Sequence, residues 1–352
     1  MNILITENPG KNSYIQELIN EYNKAGHTVI CNVNNFFTSN FEPDLLHIHW
    51  PERLYKWYDL SKTNFEDQLT LIEERFKWYK SKKTTIVHTI HNVLPHNSIN
   101  NEKDTKVYNL VIRYADLLIH HCKKSIDIIS TQFPNVKFKN NVIAFHGDYL
   151  TDYGLLSKTD ARKKLNLPLE KFIILNFGSQ QPYKGLNFVE SVFRSLGVQN
   201  KFLLTAGNYR SINKSGLIKI YDQIKIRFKN ELKYGSKQYY YCSIPNEDIK
   251  YFFHSSDIIF LGHQVGLNSG LLNLAATFSK PVVMPNIGCF EEQMKNWEYE
   301  VYEAGNHESA RNAINTIHNR IINSKIDYDN SLWLNKNSWE NHVKIILKSI
   351  KS

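Results

Sequence analysis

Several short stretches of this chain combine residue types and spacings that chemistry needs. His47 and His49 stand in Leu45-Leu46-His47-Ile48-His49-Trp50, and His88 and His91 in His88-Thr89-Ile90-His91-Asn92. Glu52 and His96 follow a few residues behind. Imidazole gains and loses its proton near neutrality, so these groups suit general acid–base work or a polar hold on hydroxyls. Alternation with period two puts His47 and His49 on one face of a strand, close to its end. Histidines at strand ends also satisfy buried backbone groups, and that plainer role is open to each of them. Gly178-Ser179-Gln180-Gln181-Pro182-Tyr183-Lys184-Gly185 is a polar turn ahead of a helical pattern. A lysine there would aim a compact cation at a phosphate. Gly185 follows the lysine with no Ser or Thr after it, so the turn is not a Walker loop. Gly266-Leu267-Asn268-Ser269-Gly270 precedes an apolar run to Phe278. Ser269 is placed to cap a helix whose unpaired first-turn N–H groups favour an anion, although an ordinary capped helix has the same local pattern. His146-Gly147-Asp148-Tyr149 ends the last apolar run of the first half and is a lining segment or a simple interdomain turn.

Metal chemistry is not indicated. The cysteines form no C-x-x-C pair, and no H-x-x-x-H pair with a supporting carboxylate occurs. Asp327-Tyr328-Asp329 has the form of a metal motif but lies far from any glycine-rich strand end, and we read it as coincidental. The net charge is +9, of which residues 1–150 supply +1 (17 basic against 16 acidic) and the remainder +8 (26 against 18). A basic excess in the second half suits a phosphorylated ligand, an anionic membrane or nucleic acid. Arg75-Phe76-Lys77-Trp78-Tyr79-Lys80-Ser81-Lys82-Lys83 and Arg53-Leu54-Tyr55-Lys56-Trp57-Tyr58 interleave aromatics with cations, as a headgroup-binding face does, and as a solvated helix face also does.

The elements that would position these groups alternate. Strands are expected at 2–6, 27–31, 44–49, 85–89, 116–120 and 141–145, with helices at 14–25, 65–80 and 106–114 between them. Met1–Glu7 reads as the first strand and not as a signal peptide. After a polar segment at 153–170 a second round begins. Strands are expected at 172–177, 201–206, 238–242, 257–261 and 281–284. Helices are expected at 186–196, 215–228, 246–253, 269–278, 307–323 and 338–350. Strands separated by helices imply parallel sheets, and ligands then bind beyond the carboxyl ends of the strands. The fold class is α/β, with two doubly wound Rossmann-like domains facing across a cleft. The boundaries are residues 1–155, 156–330 and a C-terminal helix in 331–352 that packs back toward the first domain.

Further stretches occur in a fixed order: Leu203-Leu204-Thr205-Ala206-Gly207; Ile244-Pro245-Asn246-Glu247-Asp248, then Ser256-Asp257-Ile258-Ile259; Ala275-Ala276 with Lys280-Pro281-Val282-Val283; Pro285-Asn286-Ile287-Gly288; Ser338-Trp339-Glu340. With the turns already quoted, they resemble the nucleotide-sugar-dependent glycosyltransferases of the GT-B fold, closest to family 4 (group 1), over almost the whole chain. The resemblance implies a first domain for the acceptor and a second for a UDP- or GDP-sugar, with no cofactor and no bound metal. Donor contacts would come from Gly178, Ser179, Lys184, Arg210, Gln264, Asn268, Ser269 and Gly270. His91 would sit near the transferred sugar as a polar contact or base, and Glu52 is a second base candidate. His49, His96, His146 and Tyr149 would line the acceptor side or the cleft. The family's paired glutamates fall at Gly266 and Leu274, and its Gly-Arg arginine at Ser179. Gln264 and Asn268 would then hold the donor hydroxyls, Arg210 would restore the positive charge, and retaining or inverting chemistry is open.

The implied function is transfer of a sugar to a hydroxyl of a glycan or lipid-linked acceptor, in bacterial surface polysaccharide synthesis. The expected place is the cytoplasm, with peripheral contact to the anionic inner face of the membrane and no nucleic-acid partner. The alternatives are a non-catalytic GT-B-like partner subunit that binds glycan or peptide, and a sugar-nucleotide 2-epimerase-type isomerase.

Overall fold

The computed structural model describes residues 1–8, 10, 12–57, 64–95, 101–149, 156–208 and 233–350. His96, Arg210 and the helix expected at 215–228 lie outside the described residues. The chain divides into two compact units, Met1–Gly147 with Lys336–Ser352, and Asp148–Asn335.

The first unit is built on a six-stranded, all-parallel sheet of β1 (Asn2–Ile5), β2 (Thr28–Cys31), β3 (Leu45–Ile48), β4 (Thr85–Ile90), β5 (Leu117–His120) and β6 (Asn140–Ile143). The order is β2-β1-β3-β4-β5-β6, so the winding reverses between β1 and β3. The alternation along each strand divides the core. Ile3, Ile5, Leu45, Val87, Leu117, Ile119 and Ala144 pack under helix Ser13–Lys24 and the C-terminal helix Trp339–Ser349. Leu4, Leu46, Ile48 and Ile86 pack on the opposite face, against Val33 and Phe36, Phe76 and Tyr79, and Val107 and Val111 of three further helices. Such strands, buried on both faces, are the expected product of parallel winding.

The second unit carries a seven-stranded sheet, ordered β13-β12-β11-β7-β8-β10-β9. Its strands are β7 (Phe172–Phe177), β8 (Lys201–Ala206), β9 (Lys233–Tyr234), β10 (Lys237–Tyr240), β11 (Ile258–Phe260), β12 (Val282–Pro285) and β13 (Tyr299–Tyr302). All pairs are parallel except β9 with β10. Here the winding reverses between β7 and β11.

Some elements differ from expectation for identifiable reasons. The polar segment at 153–170 contains helix Lys158–Lys164, because Ser157 Oγ accepts the Asp160 N–H at 3.0 Å. That is the Ser-x-x-Asp start signal, hidden in a stretch with few apolar residues. β13 is an edge strand of charged and aromatic residues paired only to β12. Such a strand lacks the apolar run that marks a central one.

Candidate functional site

Both points of winding reversal carry polar groups at the carboxyl ends of their strands, where doubly wound folds bind ligands. In the second unit β7 runs into Gly178, which has φ 98°. Gly207, after β8, has φ 128°, and a Cβ on it would fall 2.1 Å from the Gly178 carbonyl oxygen. Only glycine permits that approach. A short turn at Pro182–Lys184 follows and ends at Gly185, with φ 62°. A Cβ at Gly185 would lie 2.1 Å from the Gly262 carbonyl oxygen, in the loop after β11. The two loops are joined by the Gln264 N–H, which donates to the Tyr183 carbonyl at 2.7 Å. The Gln264 side chain donates to the Gly262 carbonyl at 3.0 Å and is exposed beyond it.

This backbone holds Lys184 over Gly178, its Nζ 3.0 Å from where a Cβ of Gly178 would stand. The lysine is half-buried by surface area, but its ammonium is enclosed, and burial lowers its pKa to about 8. Among the described residues nothing partners that ammonium. Beside it Gln180 is 4% exposed; its N–H bonds Asn208 and its Nε2 bonds the Gly178 carbonyl, while its Oε1 has no partner among the described residues. Ser179 Oγ accepts from Gln181 Nε2 at 3.1 Å. A buried cation without counter-charge is costly, and an anionic ligand removes that cost.

The turn at 266–270 differs from its sequence reading. Ser269 is buried and extended (φ −143°, ψ 116°), and its side chain makes no cap bond to helix Gly270–Thr277. Its N–H already donates to Gln293 Oε1 at 3.1 Å, so it is not free to bind an anion. Gln293 is in turn held by Trp333, whose Nε1 donates to the Gln293 carbonyl at 2.9 Å. Gly288, with φ 48°, presses on the carbonyls of Gly266 and Leu267. Asn268 and Gly270 are half-buried, and Leu274 packs against the core. The Tyr149 N–H donates to Thr277 Oγ1 at the far end of that helix, 3.1 Å away.

In the first unit the alternation that buries Ile3, Leu45, Val87, Leu117 and Val142 on one face continues to the strand ends. It brings His49, His91, His121 and His146 to that face, one behind each of β3, β4, β5 and β6. Tyr14, at the start of helix Ser13–Lys24, has its ring edge against His49, His91, His121, His146, Trp339 and His342. His49 Nδ1 and His91 Nε2 share a hydrogen bond of 3.1 Å, and Trp50 stacks on His91 at 4.5 Å. His146 Nδ1 donates to the Gly147 carbonyl at 2.7 Å. Burial holds His49, His91, His121 and His146 below the ordinary imidazole range, and neighbouring histidines add to it. These rings are therefore neutral polar groups at physiological pH.

Other sequence candidates are occupied. His47 bonds Thr89 Oγ1 at 2.8 Å and Tyr22 Oη at 3.2 Å, while His88 bonds the Ile48 carbonyl. Both are satisfied core histidines. Glu52 accepts from Tyr108 Oη at 3.0 Å, toward the helix on the opposite face from His91, and burial raises its pKa. Sequence reasoning missed Tyr14, His121, His342 and Gln293. The signal for His121 was its place two residues beyond Ile119 in the alternation of β5.

Comparison with known proteins agrees with this geometry. Residues 157–326 match the family model described as glycosyl transferases group 1. No curated protein matches by sequence. Solved structures do match by fold. The Anabaena HepE structure in complex with UDP-glucose has TM-score 0.70 at 12% identity, covering 100% of this chain and 99% of that one. Sucrose-phosphate synthase from Thermosynechococcus elongatus has TM-score 0.66 at 14% identity, covering 99% and 96%. An Escherichia coli structure described as trehalose-6-phosphate bound with UDP-2-fluoro glucose has TM-score 0.64 at 10% identity, covering 100% and 99%. The chain thus has the GT-B fold, and its residues 157–326 match the glycosyl transferases group 1 model.

Proposed function

We propose that the protein moves a sugar from a nucleoside-diphosphate sugar to a hydroxyl of a glycan or lipid-linked acceptor, in bacterial surface polysaccharide synthesis. The observation that carries the reading is Lys184, an enclosed ammonium without a counter-charge, held over a glycine turn where β7 and β11 diverge. A diphosphate supplies the missing charge. As the bond from sugar to diphosphate breaks, negative charge grows on the leaving oxygen and Lys184 offsets it. Gly178, Ser179, Gln264, Asn268 and Gly270 would contact the rest of the donor, with Arg210 as a further cation. A uridine donor is favoured over a guanosine one, because similar folds have been solved with UDP and UDP-glucose. No bound metal is required in this reading. Among the described residues no cluster of three His, Cys, Asp or Glu side chains is arranged to hold an ion.

The first unit would bind the acceptor. His91 and His49 are neutral polar groups suited to sugar hydroxyls, and His146 and His96 would extend that surface; Tyr149 is a further candidate acceptor contact. Glu52 would act as base only after giving up Tyr108. Peripheral membrane contact from a cytoplasmic location would use the aromatic and cationic stretches at 53–58 and 75–83. Of the run at 75–83, Phe76 and Tyr79 are core, Arg75 bonds the Phe36 and Ser39 carbonyls, and Lys80 and Lys82 pair with Asp116 and Glu42. Among the described residues no helix is long and apolar enough to cross a membrane.

The test is a melting-temperature screen with UDP-, GDP- and CMP-sugars, since a ligand of the native state raises its stability. We expect a rise with one of them, UDP-sugars first; no rise with any overturns the reading. The absent glutamates at Gly266 and Leu274 favour a second reading, a non-catalytic partner subunit. It predicts donor-induced stabilisation without turnover on any hydroxyl compound.

A further inference from the structure

We propose that His121 is a specificity-determining residue of the acceptor site: its Nε2 receives a hydrogen bond from a hydroxyl of the sugar that accepts the transferred group. The inference rests on the transferase reading and adds to it one residue and one atom. His121 follows β5, two residues beyond Ile119, on the face that helix Ser13–Lys24 covers. Its ring centre lies 5.3 Å from that of His91, 5.5 Å from His146, 5.7 Å from His342 and 5.7 Å from Tyr14. It stands at the carboxyl ends of parallel strands, where such sheets meet their ligands.

The hydrogen bonds of this ring fix what it can bind. His121 Nδ1 is 3.0 Å from the Ala144 carbonyl oxygen, which only accepts, so Nδ1 carries the proton. Burial, with His146 and His342 beside it, keeps the ring uncharged, so it has no second proton. Nε2 is then a lone pair that can only accept. It has no partner among the described residues, although the residue is 1% exposed. Buried polar atoms are normally satisfied, and a group that offers Nε2 a proton satisfies this one. His342 shows the same arrangement completed within the fold. Its Nδ1 donates to the Phe145 carbonyl at 2.9 Å, which leaves Nε2 as an acceptor, and the Tyr14 hydroxyl donates to it at 3.2 Å. His121 is the equivalent ring with no protein hydroxyl at that atom among the described residues.

The surroundings select a sugar among possible ligands. The strand order β3-β4-β5 puts His91 between His49 and His121, with its ring centre 5.3 Å from each. His49 Nε2 is a second buried ring nitrogen with no partner among the described residues. Its role as donor or acceptor follows the bond that His49 shares with His91. Two such atoms, one on each side of His91, match neighbouring hydroxyls of a polyol. Trp50, stacked on His91 at 4.5 Å, adds an apolar face beside them. A phosphate or carboxylate has only lone pairs to offer His121 Nε2, and an ammonium would meet neutral rings without a counter-charge. The consequence is a preference at one position of the acceptor. A hydroxyl there is bound, and a fluorine or an ether oxygen, which has no proton to give, is rejected.

Labelling the histidines of the full chain with nitrogen-15 lets NMR read the protonation of each ring nitrogen. At neutral pH we expect His121 to carry its proton on Nδ1 and none on Nε2; a protonated Nε2 overturns the proposal. Free hexoses, pentoses, N-acetylhexosamines and disaccharides are then added without donor. One of them should move the His121 Nε2 signal, and no movement with any of them overturns the proposal while the transferase reading stands. His121→Asn keeps a donor for the Ala144 carbonyl and removes the acceptor, whereas His121→Gln places an amide oxygen near the position of Nε2. The Asn variant should bind that sugar about 10- to 100-fold more weakly, and the Gln variant should recover part of the loss. Wild-type affinity in the Asn variant overturns the proposal. Fluorine is next put in place of the hydroxyls of that sugar, one at a time. One position should cost the wild type about 10- to 100-fold and cost His121→Asn nothing. Equal tolerance at every position overturns the proposal. With the sugar nucleotide that stabilises the protein, the bound sugar should become glycosylated; a bound sugar left unmodified while the donor turns over overturns the acceptor role. If no sugar nucleotide stabilises the protein, the transferase reading falls and the acceptor role falls with it.

Discussion

At the scale of single residues, this protein separates groups that are held from groups that are spare. His47 and His49 are two residues apart on one strand, yet His47 has both ring nitrogens bonded and His49 has one unused. Sequence shows the shared face and not the partners, because Tyr22 and Thr89 reach His47 from other elements. Lys184 is the corresponding spare group of the second unit. Replacing it with Ala should weaken donor binding by roughly 10- to 100-fold, the worth of a charge-assisted bond to phosphate. Its sign with pH follows from burial. The charged form binds the anion, and the free enzyme holds it up to about 8, so donor KM should rise as pH passes 8. Donor titration of both proteins from pH 6.5 to 9.5 checks this; a pH-independent KM in the wild type would remove Lys184 from the phosphate site.

At the scale of elements, the glycines mark where loops press on one another. Gly178, Gly185 and Gly207 were legible as a glycine-bearing turn and strand end, and their left-handed conformations explain why those residues are there. The contacts they permit join loops far apart in sequence, such as Gly185 with Gly262. Gly207→Ala should therefore cost about 2–4 kcal/mol, from a disfavoured φ and a Cβ 2.1 Å from a carbonyl oxygen. Gly266→Ala, where the nearest neighbour is the Phe290 ring at 3.5 Å, should cost about 1 kcal/mol or less. Urea unfolding of both variants measures the difference, and equal midpoints would show that the loop relaxes. The turn at 266–270 shows the limit of local reading. A Ser before an apolar run is a good cap signal, but Gln293 captured the backbone N–H that the signal would have left free.

At the scale of the whole molecule, the histidines make acid the weak side of the first unit. Burial lowers His88, His120, His146 and His342 from 6.5 to about 4. Each stays neutral in the fold and would be charged below 6.5 once unfolded. Each thus contributes stability that is complete above pH 6.5 and lost as pH falls toward 4, at most about 3 kcal/mol apiece. Glu7 runs the other way, since a fold that prefers it protonated loses stability as pH rises through about 8. Hydrogen exchange resolved by segment should show residues 1–147 opening between pH 6.5 and 4.5 before residues 148–335, where the half-buried His254 and His318 are the lowered imidazoles. Simultaneous opening would mean that the histidine row is not what limits the first unit. The sequence by itself determined the alternation of strands and helices, hence parallel sheets, and the order of turns that resembles GT-B glycosyltransferases, because periodicity and turn chemistry are local. Only the tertiary structure decided which strand ends became neighbours. β1 lies beside β3 because the winding reverses there, and that places Ile5 next to His47 across 42 residues of chain. Such proximity is set by sheet order and register, which no local stretch of sequence encodes.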